Sequence, residues 1–339
     1  MRTASNLLSG PVDDVAGQAG HRDHPPRVGF FTDTSICIGC KACEVACKEW
    51  NQVPDDGFNL LGMSLDNTGM LGANTWRHVA FIEQPRRLGR QDGGVEGLPV
   101  GPTGTGDTAR VVAAQLRQAG RGGGELGTSA WAPEPPVGPA DVDGSGPDRM
   151  DFRWLMMSDV CKHCTHAGCL DVCPTGALFR TEFGTVVVQQ DICNGCGYCV
   201  SGCPFGVIDR RDGDGRAQKC TLCYDRLRGG LEPACAKACP TDSIQFGVLD
   251  ELRERARGRV EKLHEAGVAE ARLYGDDPED GVGGCGAFFL LLDEPHVYGL
   301  PDHPVVPSRD LPRMWRAAAV AALAFLTAGI SVFAETRQP

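Results

Sequence analysis

Asp191-Ile-Cys-Asn-Gly-Cys-Gly-Tyr-Cys-Val-Ser-Gly-Cys-Pro204 decides how this chain is read. Its cysteines, Cys193, Cys196, Cys199 and Cys203, are spaced C-x2-C-x2-C-x3-C, and the same spacing recurs in Cys37, Cys40, Cys43 and Cys47. Two looser quartets are Cys161, Cys164, Cys169, Cys173 and Cys220, Cys223, Cys235, Cys239, with a middle gap of four and of eleven residues. Together the quartets take up sixteen of the seventeen cysteines. Cysteines at spacing three put their thiolates around a tight loop. Gly39, Gly195 and Gly197 lie inside such loops, where a chain wrapped round a bulky group needs φ > 0. Ile36, Ile38, Val45, Ile192 and Val200 are expected to keep water from the sulfurs.

The run matches the ligand pattern of bacterial-type [4Fe–4S] ferredoxins, in which three cysteines hold one cube and the fourth serves the other cluster. Proline follows the last cysteine in three quartets (Pro174, Pro204, Pro240), and Lys48 stands there in the first. Four quartets predict four [4Fe–4S] clusters, hence an electron conductor. A zinc ribbon also uses C-x2-C pairs, but it leaves no role for the third, closely spaced cysteine. A disulfide framework suits a short secreted chain, whereas this one has 339 residues. Met1 to Gly20 has neither an apolar signal core nor a twin-arginine pair, so clusters are expected on a chain that starts in the cytosol.

A net charge of −11 without a basic stripe argues against nucleic acid. With only 6% aromatic residues, cluster ligation is expected to supply much of the stability that apolar burial supplies elsewhere. Residues 1–27 are polar and read as a flexible lead-in. Residues 28–87 carry the first quartet and a strand-like stretch from His78 to Ile82. Residues 88–150 hold fifteen glycines and seven prolines, which predicts a mostly disordered insertion with one short helix near Ala109 to Gln118. Residues 151–247 carry the other three quartets. Residues 248–312 hold an amphipathic helix marked by Leu249, Leu252, Ala256, Val260 and Leu263, then the strand Ala287 to Leu292. The odd cysteine, Cys285, reads as a buried structural thiol.

Residues 313–339 contain Ala317 to Ala334, uncharged and long enough for a transmembrane helix, with Trp315 at its entrance. Arg309, Arg313 and Arg316 precede it and only Arg337 follows, which by the positive-inside rule puts the cluster domain in the cytoplasm. No nucleophile, acid–base pair or nucleotide loop stands out, so no catalytic site is expected on this chain.

The second and third quartets are separated by nineteen residues that include the strand-like Thr185 to Gln189. That arrangement resembles one two-cluster ferredoxin unit, and quartets one and four then form a second unit closing across it. The fold class is α+β, with two interleaved ferredoxin-like units and a membrane helix. The resemblance implies four ligand sets. Cys37, Cys40, Cys43 and Cys239 make set A; Cys220, Cys223, Cys235 and Cys47 make set B. Cys161, Cys164, Cys169 and Cys203 make set C; Cys193, Cys196, Cys199 and Cys173 make set D. This nested pairing of quartets follows from chain proximity, and sequential pairing of the quartets is the alternative that the sequence leaves open.

Four further stretches carry a narrower resemblance. They are Phe31-Thr-Asp-Thr-Ser-Ile-Cys-Ile-Gly-Cys-Lys-Ala-Cys-Glu-Val-Ala-Cys-Lys-Glu-Trp-Asn51, Lys219-Cys-Thr-Leu-Cys-Tyr-Asp-Arg226, Glu232-Pro-Ala-Cys-Ala-Lys-Ala-Cys-Pro-Thr241 and Gly281-Val-Gly-Gly284. They resemble the iron–sulfur (beta) subunit of respiratory formate dehydrogenases, within the four-cluster subunits of molybdopterin oxidoreductases. The resemblance implies an electron-transfer role in anaerobic respiration. The partners would be a molybdopterin catalytic subunit holding molybdenum or tungsten and a cytochrome b-type membrane subunit that reduces quinone. It also implies an extracytoplasmic cluster domain, against the arginine count. Lys41, Lys219 and His163 adjoin cluster cysteines and are expected to tune potentials, with His166 nearby. Rival readings are the electron-transfer subunit of a hydrogenase, polysulfide or dimethyl sulfoxide reductase, and a zinc-bound scaffold.

Overall fold

The computed structural model describes residues 5–6, 10–11, 14–57, 68–84, 153–308 and 311–335. Its strands are β1 (Ser5–Asn6), β2 (Gly10–Pro11), β3 (Val28–Asp33), β4 (Arg77–Gln84), β5 (Arg153–Val160), β6 (Leu178–Arg180), β7 (Val186–Val188), β8 (Asp209–Arg210), β9 (Ala217–Gln218), β10 (Ile244–Val248), β11 (Arg272–Tyr274) and β12 (Ala287–Leu291). Its helices are α1 (Val15–Gln18), α2 (Ala42–Asn51), α3 (Gly168–Asp171), α4 (Tyr198–Ser201), α5 (Tyr224–Arg228), α6 (Ala234–Lys237), α7 (Leu249–Glu265) and α8 (Leu311–Glu335).

One four-stranded sheet, ordered β10-β3-β12-β11, ties the two ends of the cluster region together. β3 runs antiparallel to β10 and parallel to β12. Every residue of β12 is buried, the continuous apolar run of a strand covered on both faces. The predicted amphipathic helix is α7, whose Leu249, Leu252 and Ala256 enter one core with Phe31, Phe288 and Leu290 while Val260 and Leu263 pack at its edge. That sheet is what brings quartet one, which follows β3, beside quartet four, which precedes β10. Helices α2 and α6, one from each quartet, lie against each other.

The middle of the chain repeats a small pattern. A cysteine loop leads to a one-turn helix and a two-stranded hairpin: first α3 with β6–β7, then α4 with β8–β9. The strand expected at Thr185 to Gln189 is β7. The strand expected at His78 to Ile82 is β4, and it pairs with β5 from Arg77↔Val160 to Gln84↔Arg153. The insertion predicted over 88–150, with its helix at Ala109 to Gln118, lies outside the described residues.

Part of the lead-in predicted over 1–27 touches the cluster region. Val15 and Ala16 are buried, and Arg27 donates from Nη1 to Thr165 Oγ1 (2.8 Å) and from Nη2 to the His163 carbonyl (2.9 Å). Polar composition suggested flexibility, but a short buried pair and one long guanidinium are enough to seat this segment on the second quartet.

At the other end, α8 contains the expected apolar stretch. Its 25 residues, at a rise of about 1.5 Å each, exceed the roughly 30 Å of a bilayer's hydrocarbon core. None of Met314–Ser331 is buried against the rest of the chain, and Leu323, Phe325, Leu326 and Ile330 are exposed. A helix this apolar and this unpartnered is a candidate membrane span, not a core helix.

Candidate iron–sulfur centres

Quartet one starts after β3 in a turn capped by Asp33, whose side chain accepts from the Ser35 N–H. Gly39 has φ of 65°, and a Cβ there would come within 2.6 Å of the Phe81 ring. Gly195 and Gly197 also take positive φ, 74° and 79°, as the wrapped loops require. The Gly281–Gly284 turn has a packing reason too: a Cβ on Gly283 would lie 2.3 Å from His166, and the turn accepts the Thr165 and His166 N–H groups. It braces the loop of quartet two from outside.

The sixteen quartet thiols are free, and they gather across quartets. Cys37 lies within electrostatic reach of Cys239 and Cys40. Cys47 faces Cys220, Cys235 and Cys223 from the far end of the chain. Cys169 neighbours Cys161, Cys203 and Cys164; Cys199 neighbours Cys193, Cys173 and Cys196. Two further proximities run between these groups: Cys43 with Cys235, and Cys220 with Cys161.

Burial pushes the thiols of Cys43, Cys199 and Cys203 up to about 11, and holds Cys47, Cys169 and Cys220 well above the ordinary range. A hydrogen bond that the Cys164 thiol donates to Cys285, then burial, does the same to Cys164. Neighbouring thiolates add to the effect at each. So many buried thiols cannot ionise together unless cations share the space, which is what iron in a cluster supplies. A cavity beneath quartet two is lined by Cys161, Cys164, Cys169 and Cys203, walled by Val186, Val207 and Ile208. Among the described residues no three His, Cys, Asp or Glu side chains converge on a single metal ion. Thiolates spread round a cavity fit a cube of several irons better than a zinc ion with sulfur at roughly 2.3 Å. The donor set fits [4Fe–4S] clusters.

Backbone and side-chain donors already point at sulfur. Leu222 N–H approaches Cys220 Sγ at 3.3 Å and Ala217 N–H approaches Cys193 Sγ at 3.4 Å. Asn51 Nδ2 stands 3.7 Å from both Cys47 Sγ and Cys223 Sγ. Of the predicted tuning residues, Lys219 is fully buried and donates to the Val186 and Cys220 carbonyls, with Cys161 and Cys169 beside it. His163 is buried at φ of 45°, and its Nδ1 accepts from Val186 N–H (3.1 Å). Burial, then the Lys219 charge, holds its imidazole well below the usual histidine range. Lys41 instead pairs with Glu44 at 3.2 Å at the rim. Cys285 is buried as expected.

One expectation fails. Ile38, Val45 and Ile192 are 59%, 60% and 41% exposed and do not cover the sulfurs. Ile38 lies in the C-x2-C loop between Cys37 and Cys40, whose inward aim turns it outward; Val45, on α2 between Cys43 and Cys47, and Ile192, just before Cys193, also lie on the outer side. Shielding comes from distant segments, including Phe30, Leu71, Val79 and Ile244 in the core around Cys43 and Cys235. Sequence reasoning also missed Arg77 and Lys162, both fully buried near cysteines. Lys162 is paired with Asp159 and lies over the Phe205 and Phe289 rings. Its place between Cys161 and His163 was the available signal.

Two family models described as 4Fe-4S dicluster domains match residues 36–177 and 152–249. The chain is 33% identical to the nitrate-inducible formate dehydrogenase iron-sulfur subunit of Escherichia coli, over 94% of this chain and 86% of that one. It is 34% identical to the formate dehydrogenase iron-sulfur subunit of Haemophilus influenzae, over 84% and 72%. The B subunit of the anaerobic dimethyl sulfoxide reductase of Escherichia coli is 29% identical over 68% and 77%. Sixteen crowded thiols, a matched pair of dicluster domains and relatives aligned along most of their length lead to one conclusion: this chain belongs to the formate dehydrogenase iron–sulfur subunits, non-catalytic electron-transfer subunits, and its cofactors are four [4Fe–4S] clusters.

Proposed function

We propose that this chain conducts electrons from a molybdopterin subunit that oxidises formate to a cytochrome b-type membrane subunit that reduces quinone. Each cluster, when bound, takes up and gives back one electron; the chain's own residues hold the clusters, exclude water and set the surrounding charge. The ligand sets are A (Cys37, Cys40, Cys43, Cys239), B (Cys220, Cys223, Cys235, Cys47), C (Cys161, Cys164, Cys169, Cys203) and D (Cys193, Cys196, Cys199, Cys173). The observation that carries this reading is the crossing of thiols between quartets, above all Cys47 against Cys220, Cys223 and Cys235. Sequential pairing would leave those neighbours without a role.

The sets form two interleaved ferredoxin-like units, A with B and C with D. The proximities of Cys43 to Cys235 and of Cys220 to Cys161 support the order A, B, C, D. Each end of that order is open to partners. Exposed Cys40 has exposed Ile38 and Val45 near it in sequence, and exposed Cys196 has Ile192 and Tyr198. Lys219, placed beside cysteines of both B and C, would raise the potentials there, since cations and hydrogen bonds near sulfur favour the reduced cluster.

The test is purification of the tagged chain from membranes of its host with metal analysis and electron paramagnetic resonance. Four irons per quartet, co-purifying pterin and haem b subunits and formate-dependent reduction of the clusters are expected. Zinc without reducible iron would end the reading. Oxidation of the clusters by dimethyl sulfoxide, with no response to formate, would move the chain to the reductase branch instead.

Helix α8 is read as the anchor. The chain produced alone should sediment with membranes and resist a carbonate wash, and truncation after Ser308 should release it to the soluble fraction. Carbonate-extractable full-length chain would exclude a spanning helix.

A further inference from the structure

Arg77 sits on β4 with no exposed surface to speak of, at 2%. Its guanidinium lies 4.8 Å over the Phe30 ring, and Nη1 donates to the Ser158 Oγ (3.0 Å) and carbonyl (3.2 Å). Ser158 Oγ in turn contacts Cys43 Sγ at 3.2 Å. Nε and Nη2 are buried without a hydrogen-bond partner among the described residues. The ionisable groups that act on it most strongly are thiols: Cys235, Cys43, Cys220 and Cys47. Three of these belong to set B and one to set A.

A buried guanidinium with open donors is costly unless an anion meets it, and arginine does not escape by losing its proton. The two buried lysines near the sets have their amines engaged: Lys162 with Asp159 and the Val160 carbonyl, Lys219 with two carbonyls. A cube held by four thiolates is anionic, and reduction adds a further negative charge. A fixed cation between two such cubes therefore favours the reduced form of each and weakens the repulsion between their electrons.

We propose that Arg77 is a positioning and charge-setting residue for clusters A and B. Its Nε–H and Nη2–H donate to cluster sulfur, and its charge raises the reduction potential of the pair. The inference rests on the ligand sets proposed above.

Redox titration of the purified complex followed by electron paramagnetic resonance tests it, with the A and B signals identified by their loss in Cys37→Ala and Cys220→Ala. In Arg77→Met the A and B midpoints should fall by about tenfold in the reduction equilibrium, about 59 mV for a one-electron couple, with C and D unmoved. Arg77→Lys, which keeps the charge without the planar fork, should fall less. Unchanged A and B midpoints in a fully loaded Arg77→Met complex would overturn the proposal, since a merely structural arginine alters loading and not potential. Should the variant fail to load, the unmutated complex decides: with [15N]arginine, pulsed resonance of the A and B signals must show a coupled arginine nitrogen, and its absence overturns the proposal. Fewer than four clusters in the unmutated complex would instead refute the ligand sets.

Discussion

Replacing Cys220 by alanine should cut formate-to-quinone electron transfer to background while leaving formate oxidation by a soluble dye at the catalytic subunit intact. Cys220 is buried and stands where two groups of thiols meet, with Cys235 and Cys223 on one side and Cys161 on the other. Its sulfur accepts the Leu222 N–H, so the loop is shaped around it. Losing a thiolate here removes the anchoring of set B, which lies between A and C in the proposed order. No exposed bypass offers itself, because Leu222 and Phe30, both fully buried, fill the space around it. The variant should lose one cluster signal by electron paramagnetic resonance. Cys285→Ser should keep all four signals, because that thiol belongs to no quartet. Quinone-linked turnover that survives the loss of the set B signal would show that B is not on the path.

The contrast between Cys220 and Arg77 explains how much of this protein could be read in advance. The sixteen quartet cysteines were legible as candidate ligands because cluster chemistry fixes the spacing of such residues within a few positions of one another. The helix α7 and the strands β4, β7 and β12 were legible from apolar periodicity, which burial on one or both faces imposes locally. Arg77 was not legible. In sequence it is a charged residue in a strand, and the segments that bury it, Phe30 on β3 and Ser158 on β5, lie 47 and 81 residues away. Ile38, Val45 and Ile192 misled for the converse reason: apolar character suggested shielding, while their places within and beside the cysteine loops leave them on the outer side. The parallel pairing of β3 with β12 was equally invisible, since it joins segments some 250 residues apart. What the sequence states locally is chemistry and periodicity; which distant side chains close over them is decided by the sheet.

Anaerobic removal of iron should unfold the cysteine loops and spare the sheet. The expectation from composition alone was broad unfolding of the cysteine-rich part, and the cores divide it. The core under α7 is built from Phe31, Leu252, Ala256, Phe288, Phe289 and Leu290, and its one fully enclosed cysteine is the non-quartet Cys285. The core of the middle hairpins is small, Ala167, Leu178, Val186, Val188, Ile208 and Ala217, and it leans on Cys169, Cys173, Cys193, Cys199 and Cys203. A structural metal site can contribute about 10–16 kcal/mol, as much as the whole 5–15 kcal/mol stability of an ordinary domain. Six buried apolar side chains cannot replace that, and without iron the crowded buried thiols lose the cations that justify their burial. In hydrogen–deuterium exchange, amides of β6, β7, α3 and α4 should lose protection on chelation, whereas those of β12 and α7 should keep most of theirs. Uniform loss across both regions would mean that the sheet has no stability of its own. Protection retained at β6 and β7 would mean that the clusters are guests of a fold that forms without them. The division of the apolar cores argues for neither: the sheet is the frame, and iron completes what hangs from it.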